Sequence, residues 1–173
     1  MFDPHRIRSI TAILERLRKL MLETREEHGE PTGPFTPPPL EAHSTPEAAA
    51  TVIRKWLEAD GRPDFDAWRN KLEDKGIFIF LTSKYREWSH VDRRLMRGMA
   101  IFYKVLPIIV INDSDPGKAR SFTLFHELVH LSQRRECDQP LGRPADTQRK
   151  WCGRIRRLLP DAPKRNAGVS GIH

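Results

Sequence analysis

Two histidines and a glutamate within five residues are the part of this chain whose types and spacing could do chemistry. The segment His126-Glu127-Leu128-Val129-His130 matches the pattern H-E-x-x-H. On a helix, residues four apart lie on one face with Cβ atoms about 6 Å apart, so both imidazoles can reach one Zn²⁺. The spacing predicts His126 and His130 as metal ligands and zinc as the cofactor.

Glu127 follows the first of these ligands directly and is not expected to ligate. Its carboxylate can take a proton from an attacking water and pass it to a leaving amine, as a general base and then a general acid. Zinc would lower the pKa of that water and polarise the scissile carbonyl. The pattern thus indicates peptide hydrolysis with Glu127 as the catalytic residue. The alternative is an amphipathic helix with two half-exposed histidines.

The elements that would position these residues follow from hydropathy. The motif lies in an expected helix over about 118–135, after a turn at 112–117 rich in capping side chains. Apolar, β-branched runs predict strands near 77–81, 99–103 and 106–111, the last two joined by a turn at 104–105. Pro107 cannot donate to a ladder, which places it at a strand start or on an edge strand.

Three further helices are expected upstream. Thr45 is the predicted N-cap of a helix with Pro46 in its first turn, ending at Asp60-Gly61. Another fits 65–75 and closes on Gly76. The buried faces expected of these two helices comprise Val52, Ile53, Trp56 and Leu57, and Phe65, Trp68 and Leu72. The first helix, within 6–27, carries an apolar stripe at helical spacing: Ile7, Ile10, Leu14, Leu17 and Met21.

These elements predict an α+β fold and divide the chain into four parts. An N-terminal helix over 1–28 precedes a proline-rich linker over 29–44, then the domain with the histidine motif over 45–135, and finally a basic, poorly structured tail over 136–173. The stripe on the first helix is expected to dock on the chain's own domain or on a partner.

Charge and cysteine usage exclude some function classes. Most of the net charge of +7 lies after residue 131, where ten basic residues face four acidic ones, so the body of the chain is nearly neutral. Direct nucleic-acid binding by that body is not expected. Cys137 and Cys152 cannot form a disulfide framework and indicate free thiols. Neither a secretory signal nor a membrane span is visible, which predicts a cytoplasmic protein without a membrane partner.

Three sequence blocks, in order, resemble the ImmA/IrrE family of metallo-endopeptidases. They are Arg97-Gly98-Met99-Ala100-Ile101, Leu106-Pro107-Ile108-Ile109-Val110-Ile111-Asn112, and Ser121-Phe122-Thr123-Leu124-Phe125 leading into the histidine motif and Leu131. The resemblance covers roughly 45–131.

The resemblance implies a zincin-like α+β domain that cleaves intracellular DNA-binding repressors in prophage, mobile-element or stress control. Carried over by position, His126 and His130 would bind zinc and Glu127 would be the catalytic acid/base. The implied partner is a protein substrate, a helix-turn-helix repressor. Many relatives carry an N-terminal helix-turn-helix domain, and 1–44 resembles instead the stretch that joins it to the peptidase domain.

The sequence departs from the family at the third metal ligand. A catalytic zinc site needs three protein ligands and one open position. The family supplies the third from a glutamate on a later helix, in a pattern resembling E-x-x-A-N-x-F-A-A-x-x-L-M-P that this chain lacks. Glu136, Asp138 and Asp146 are the nearby acids that could substitute. With two ligands only, zinc affinity and activity are expected to be impaired.

A shifted reading frame would account for this departure. If the codons of 149–162 are read one nucleotide later, the degenerate code permits Glu at Arg149, Ala at Cys152, Phe-Ala-Ala over 155–157 and Leu-Met-Pro over 160–162. We hypothesise a frameshift between Leu131 and Arg149, which would also explain the basic charge of the tail. The gene's nucleotide sequence tests this, since the alternative frame must encode the motif without an early stop.

Two other function classes are open from sequence. A non-catalytic module with a zincin-like fold could bind a regulator through the stripe on the first helix. The basic tail could bind nucleic acid, although Trp151 is its one aromatic residue and it matches no recognised fold.

Overall fold

The computed structural model describes residues 4–40, 45–61, 63–84 and 96–134, and these form four helices and one small sheet. In chain order the elements are α1 (Pro4–Glu27), α2 (Pro46–Trp56), α3 (Phe65–Asp74), β1 (Phe78–Leu81), β2 (Gly98–Ile101), β3 (Ile108–Ile111) and α4 (Gly117–Arg134), with a single 3₁₀ turn at Thr82–Lys84 after β1. The predicted α+β class is confirmed.

The sheet has the order β1-β3-β2, so the last strand in sequence is the central one. β3 pairs in parallel with β1 and antiparallel with β2. Pro107 therefore lies at the start of a central strand rather than on an edge strand. Its carbonyl accepts a hydrogen bond from the Phe78 amide at 2.8 Å, so it contributes an acceptor where it cannot donate.

The strands around the β2–β3 turn are shorter than the sequence predicts. β2 ends at Ile101, which pairs with Ile108, the first residue of β3. The ladder does not extend past this pair because Leu106 has a φ of 53°, in the left-handed region rather than the extended one. The expected strands over 99–103 and 106–111 are thus observed as Gly98–Ile101 and Ile108–Ile111.

One face of the sheet packs against α2, α3 and α4 in the main hydrophobic core. Side chains alternate across a strand, and on this face β3 presents Ile109 and Ile111, both fully buried. Trp68 of α3 is also fully buried and meets Phe125 of α4 edge to face, with ring centroids 5.0 Å apart. These contacts fix α4, the helix that carries the histidine motif, against the sheet.

The opposite face of the sheet is covered by α1. Leu14 is fully buried in a second cluster with Phe80, Ile108 and Val110. Arg18, one turn further on, donates hydrogen bonds to the carbonyls of the β2–β3 connection, at 2.6 Å to Val105 and 3.0 Å to Leu106.

The centre of the apolar stripe on α1 docks on the chain's own sheet. Leu14 and Leu17 pack on the chain's own sheet, whereas Met21 remains 36% exposed. The side chains of Ile7 and Ile10 lie outside the described residues. The centre of the stripe is therefore already covered, and binding a regulator through it would require α1 to leave the sheet.

A truncation at Leu14 tests this docking. We expect Leu14→Ala to lower the free energy of unfolding by about 2–5 kcal/mol, because a fully buried leucine would leave a cavity. The matched control is Leu20→Ala on the same helix, where a side chain 50% exposed should change stability by no more than about 0.5 kcal/mol. Urea titration of both variants gives the comparison. Equal, small effects would show that α1 does not pack on the sheet in solution.

The described part of the proline-rich segment, 29–40, has no regular secondary structure, as predicted, but it contacts the rest of the chain closely. The Phe35 amide donates to the Lys104 carbonyl at 2.8 Å. The Phe35 ring is buried and meets Trp56 of α2 edge to face, with centroids 6.3 Å apart. The segment lies against the turn between β2 and β3 instead of crossing open solvent.

Helix starts agree with the sequence better than helix ends do. Thr45 caps α2 as predicted, its hydroxyl accepting from the Ala48 amide at 3.2 Å. The expected end of α2 at Asp60-Gly61 is wrong, because the helix stops at Trp56 and Glu58 takes a φ of 50°. The Ala59 amide donates to the Arg54 carbonyl at 3.0 Å, as in a Schellman motif, so the last turn of the helix satisfies its own carbonyl groups.

Two smaller expectations about the upstream helices also change. α3 ends at Asp74, followed by Gly76 with a φ of 83°, close to the expected 65–75. Val52 and Trp56 are half-buried rather than buried, and Ala49 and Ala50 contribute to the buried face of α2 with Ile53 and Leu57. None of the helices in the described residues is long and apolar enough to cross a membrane.

Candidate metal centre

The helix α4 begins where the sequence predicts a capped turn. Asn112 organises this turn, its side-chain oxygen accepting from the Ser114 amide at 3.2 Å and its amide group donating to the Met96 carbonyl at 3.0 Å. α4 then contacts both β2 and β3. The start at Gly117 and the end at Arg134 lie within one residue of the expected 118–135.

The two motif histidines face each other on α4. Their rings meet edge to face with centroids 4.7 Å apart, and the two Nε2 atoms lie 3.1 Å apart. Both rings are half-buried. At this distance one Nε2–H can donate a hydrogen bond to the other Nε2. The two atoms that would bind a shared metal ion therefore lie next to each other in the metal-free structure.

This separation fits a shared zinc ion. Two nitrogen ligands at about 2.0–2.1 Å from Zn²⁺ in a tetrahedral arrangement lie about 3.3 Å from each other. The observed 3.1 Å between Nε2 of His126 and Nε2 of His130 is within a few tenths of an ångström of that value. Burial also lowers the pKa of His130, which favours the neutral imidazole that a metal requires.

Phe122 supports the first of these histidines and was not singled out by sequence reasoning. Its ring lies one turn before His126 and stacks on it, with centroids 5.9 Å apart and planes inclined by 22°. A stacked ring restricts the rotation of an imidazole, so Phe122 helps hold the His126 ring in place. Phe122 lies four residues before His126, and this helical spacing could have indicated the contact between the two rings.

Glu127 is buried where α4 packs against β2. Its side chain is 8% exposed, and burial raises the pKa of its carboxyl to about 7. Removal from water disfavours the charged form, and this is the dominant cause of the shift. A carboxyl that gains and loses a proton near neutral pH suits a group that must both take and give one.

The raised pKa of Glu127 predicts a pH dependence of stability in the metal-free chain. Because the folded pKa of about 7 exceeds the unfolded value of 4.5, the stabilising contribution is complete below pH 4.5 and is lost as pH rises through 7. The loss amounts to about 3 kcal/mol at 1.36 kcal/mol per pKa unit.

The control for this pH dependence is Glu127→Gln, which keeps the shape of the side chain and cannot ionise. With a chelator present, we expect the parent to be less stable than the variant at pH 8 and close to it at pH 4.5. Urea titration at the two pH values measures this difference. A parent and variant with parallel pH profiles would show that the Glu127 carboxyl is not buried in solution.

Gly98 brings β2 close to this glutamate. A Cβ placed at Gly98 would overlap Cγ2 of Thr123 and lie 3.2 Å from Cγ of Glu127. The backbone of β2 therefore passes next to the carboxyl-bearing side chain, with no side chain between them. Sequence reasoning used Gly98 as part of a resemblance and gave it no role of its own.

The structure brings the two histidines together on α4 and places Glu127, the residue after His126, against Gly98 of β2, and it leaves the third ligand open. Within 4–40, 45–61, 63–84 and 96–134, no three histidine, cysteine, aspartate or glutamate side chains converge as a metal-binding group. The predicted substitutes Glu136, Asp138 and Asp146 lie outside the described residues, as do both cysteines.

The site thus lies between α4 and the face of β2 that packs against it. The sequence has no match among models of known protein families, among curated proteins or among solved structures.

Proposed function

We propose that the chain is a zinc-dependent metallo-endopeptidase of the ImmA/IrrE type, with a zincin-like domain acting on a DNA-binding transcriptional repressor. The observation that carries the proposal is the 3.1 Å separation of the two Nε2 atoms on α4, with the buried Glu127 next to the first of them in sequence. The sequence blocks that resemble the family supply the substrate class.

His126 and His130 would hold the metal through their Nε2 atoms, with Phe122 limiting the rotation of the first ring. When bound, zinc would supply Lewis-acid polarisation of the scissile carbonyl and a water of lowered pKa. Glu136, Asp138 and Asp146, which follow the described part of α4 in sequence, are the acids that could supply a third ligand. A weak third ligand would leave the chain with impaired metal affinity and low activity.

Glu127 would move the proton. Its carboxylate takes a proton from the attacking water on one oxygen as the C–O bond forms, and it then gives that proton to the leaving nitrogen as the C–N bond breaks. The pKa near 7 that burial gives this carboxyl makes both directions accessible at neutral pH.

The strand β2 offers a place for the substrate backbone. Among the described residues it pairs with β3 on one side, and no described strand pairs with its other edge. An extended peptide can pair with such an edge, and here it would pass Gly98 and thus Glu127.

Helix-turn-helix repressors act inside the cell, so a peptidase that cleaves them would act in the cytoplasm.

Cleavage of a repressor tests the proposal. The zinc-loaded chain is incubated with helix-turn-helix repressors encoded beside its gene, and products are mapped by mass spectrometry. The proposal expects a single cleavage site that disappears with a chelator and with Glu127→Ala. Zinc-loaded chain that leaves every such repressor intact, or cleavage that survives Glu127→Ala, would contradict it.

A further inference from the structure

The backbone conformation of Gly98 is one that any residue could adopt, so it does not by itself require glycine. Its φ lies outside the left-handed region, unlike that of Gly29, Gly61 and Gly76. It pairs regularly with Ile111 in the β2–β3 ladder. Glycine in a strand otherwise costs conformational entropy and marks a close approach of another group. The reason for glycine at this position must therefore be the space beside it.

That space is closed by α4 and by the central strand. A Cβ on Gly98 would overlap the Thr123 methyl group and would lie 3.1 Å from the Val110 carbonyl oxygen and 3.2 Å from Cγ of Glu127. The Val110 carbonyl belongs to the backbone of β3 and cannot give way. A methyl group would therefore displace α4 along the turn that carries Thr123 and Glu127.

We infer that Gly98 is a positioning residue for Glu127: its missing side chain sets how closely the carboxyl-bearing turn of α4 lies against the edge strand β2. The inference rests on the proposed peptidase function for its consequence in catalysis. The contact between β2 and α4 that it describes does not depend on that function.

A side chain at position 98 would affect the Glu127 carboxylate and the two imidazoles differently. The three atoms nearest to a Cβ at position 98 belong to Thr123, Val110 and Glu127, and none belongs to His126 or His130. A methyl group there should shift Glu127 more than the histidines. Zinc binding should then persist while the chemical step slows, which a general loss of folding would not produce.

Thr123→Ser provides a matched rescue. Serine removes the methyl group that would overlap the new Cβ and keeps the hydroxyl that donates to the Ala119 carbonyl at 3.1 Å. In the metal-free chain, Gly98→Ala is expected to lower the thermal unfolding midpoint by roughly 5 °C or more. Adding Thr123→Ser should recover at least about half of that loss. No recovery would overturn the assigned packing.

A double-mutant cycle with Glu127→Ala tests the contact with the glutamate without any activity. Removing Cγ of Glu127 should reduce the loss of midpoint caused by Gly98→Ala. An unchanged loss would overturn the inference even if the chain proves to be a peptidase. Conversely, if the parent chain cleaves no repressor, the proposed function fails while this cycle still decides the contact.

The catalytic consequence is measured on the rescued, zinc-loaded Gly98→Ala/Thr123→Ser variant with the repressor that the parent cleaves. We expect kcat to fall by about tenfold or more with a zinc content equal to that of the parent, because a displacement of about 1 Å can cost up to a hundredfold. Thr123→Ser alone is the reference for both values. A double variant with the kcat of this reference, or one that loses zinc together with activity, would overturn the inference.

Discussion

Glu127→Gln is expected to reduce repressor cleavage by about 10²–10⁴-fold while the zinc content stays that of the parent. Glutamine keeps the size of the side chain and removes the oxygen that takes and gives the proton. Neither ligand nitrogen is altered. Initial rates of cleavage and metal analysis on the same preparation measure the two quantities.

Stability makes this prediction sharper. Burial raises the pKa of Glu127 to about 7, so the ionised carboxylate destabilises the metal-free fold above that pH. We therefore expect the inactive Glu127→Gln chain to be more stable than the parent at pH 8, a cost of function that active sites often show. Loss of activity with a gain in stability excludes misfolding as the cause.

The control for Glu127→Gln is Glu47→Gln, the same change at an exposed acid in the first turn of α2. It should leave the cleavage rate unchanged. Equal slowing by both substitutions would indicate a general charge effect. Full activity of Glu127→Gln would remove the glutamate from the mechanism.

His130→Ala is expected to weaken zinc binding by at least about 100-fold. It removes one of the two nitrogen atoms that lie 3.1 Å apart and leaves His126 with no second donor on the helix face. Competition with a chromophoric zinc chelator measures the affinity. The zinc-dependent rise in the thermal unfolding midpoint should disappear in the same variant, because the stabilisation that zinc gives depends on its affinity for the folded chain.

The matched control for His130→Ala is His28→Ala at the end of α1. His28 is exposed, and its Nδ1 lies 2.7 Å from the Thr24 carbonyl oxygen of its own helix. This variant should bind zinc as the parent does. Loss of zinc from His28→Ala, or its retention by His130→Ala, would place the metal elsewhere on the chain.

Features that depend only on interactions between residues close in sequence could be predicted from the sequence. Thr45 caps α2 because a hydroxyl before Pro46 accepts a backbone N–H, and this depends on four residues only. The spacing of His126 and His130 needs nothing beyond a helix. The strands were located because short apolar runs bounded by turn residues are typical of a buried sheet.

Features that depend on distant contacts could not be predicted. The central position of β3 follows from pairing with β1 and β2 together, and periodicity carries no information on that order. The closeness of Gly98 to Glu127 likewise appears only once α4 is packed on β2.

The ligand shell of zinc in the loaded chain tests the central claim most directly, and X-ray absorption at the zinc edge measures it. The account predicts nitrogen or oxygen neighbours at about 2.0–2.1 Å with the outer-shell pattern of two imidazoles, lost in the variant that lacks both His126 and His130. A chain that retains no zinc would contradict it. So would a shell of sulfur at about 2.3 Å, which would place the metal on Cys137 and Cys152 instead.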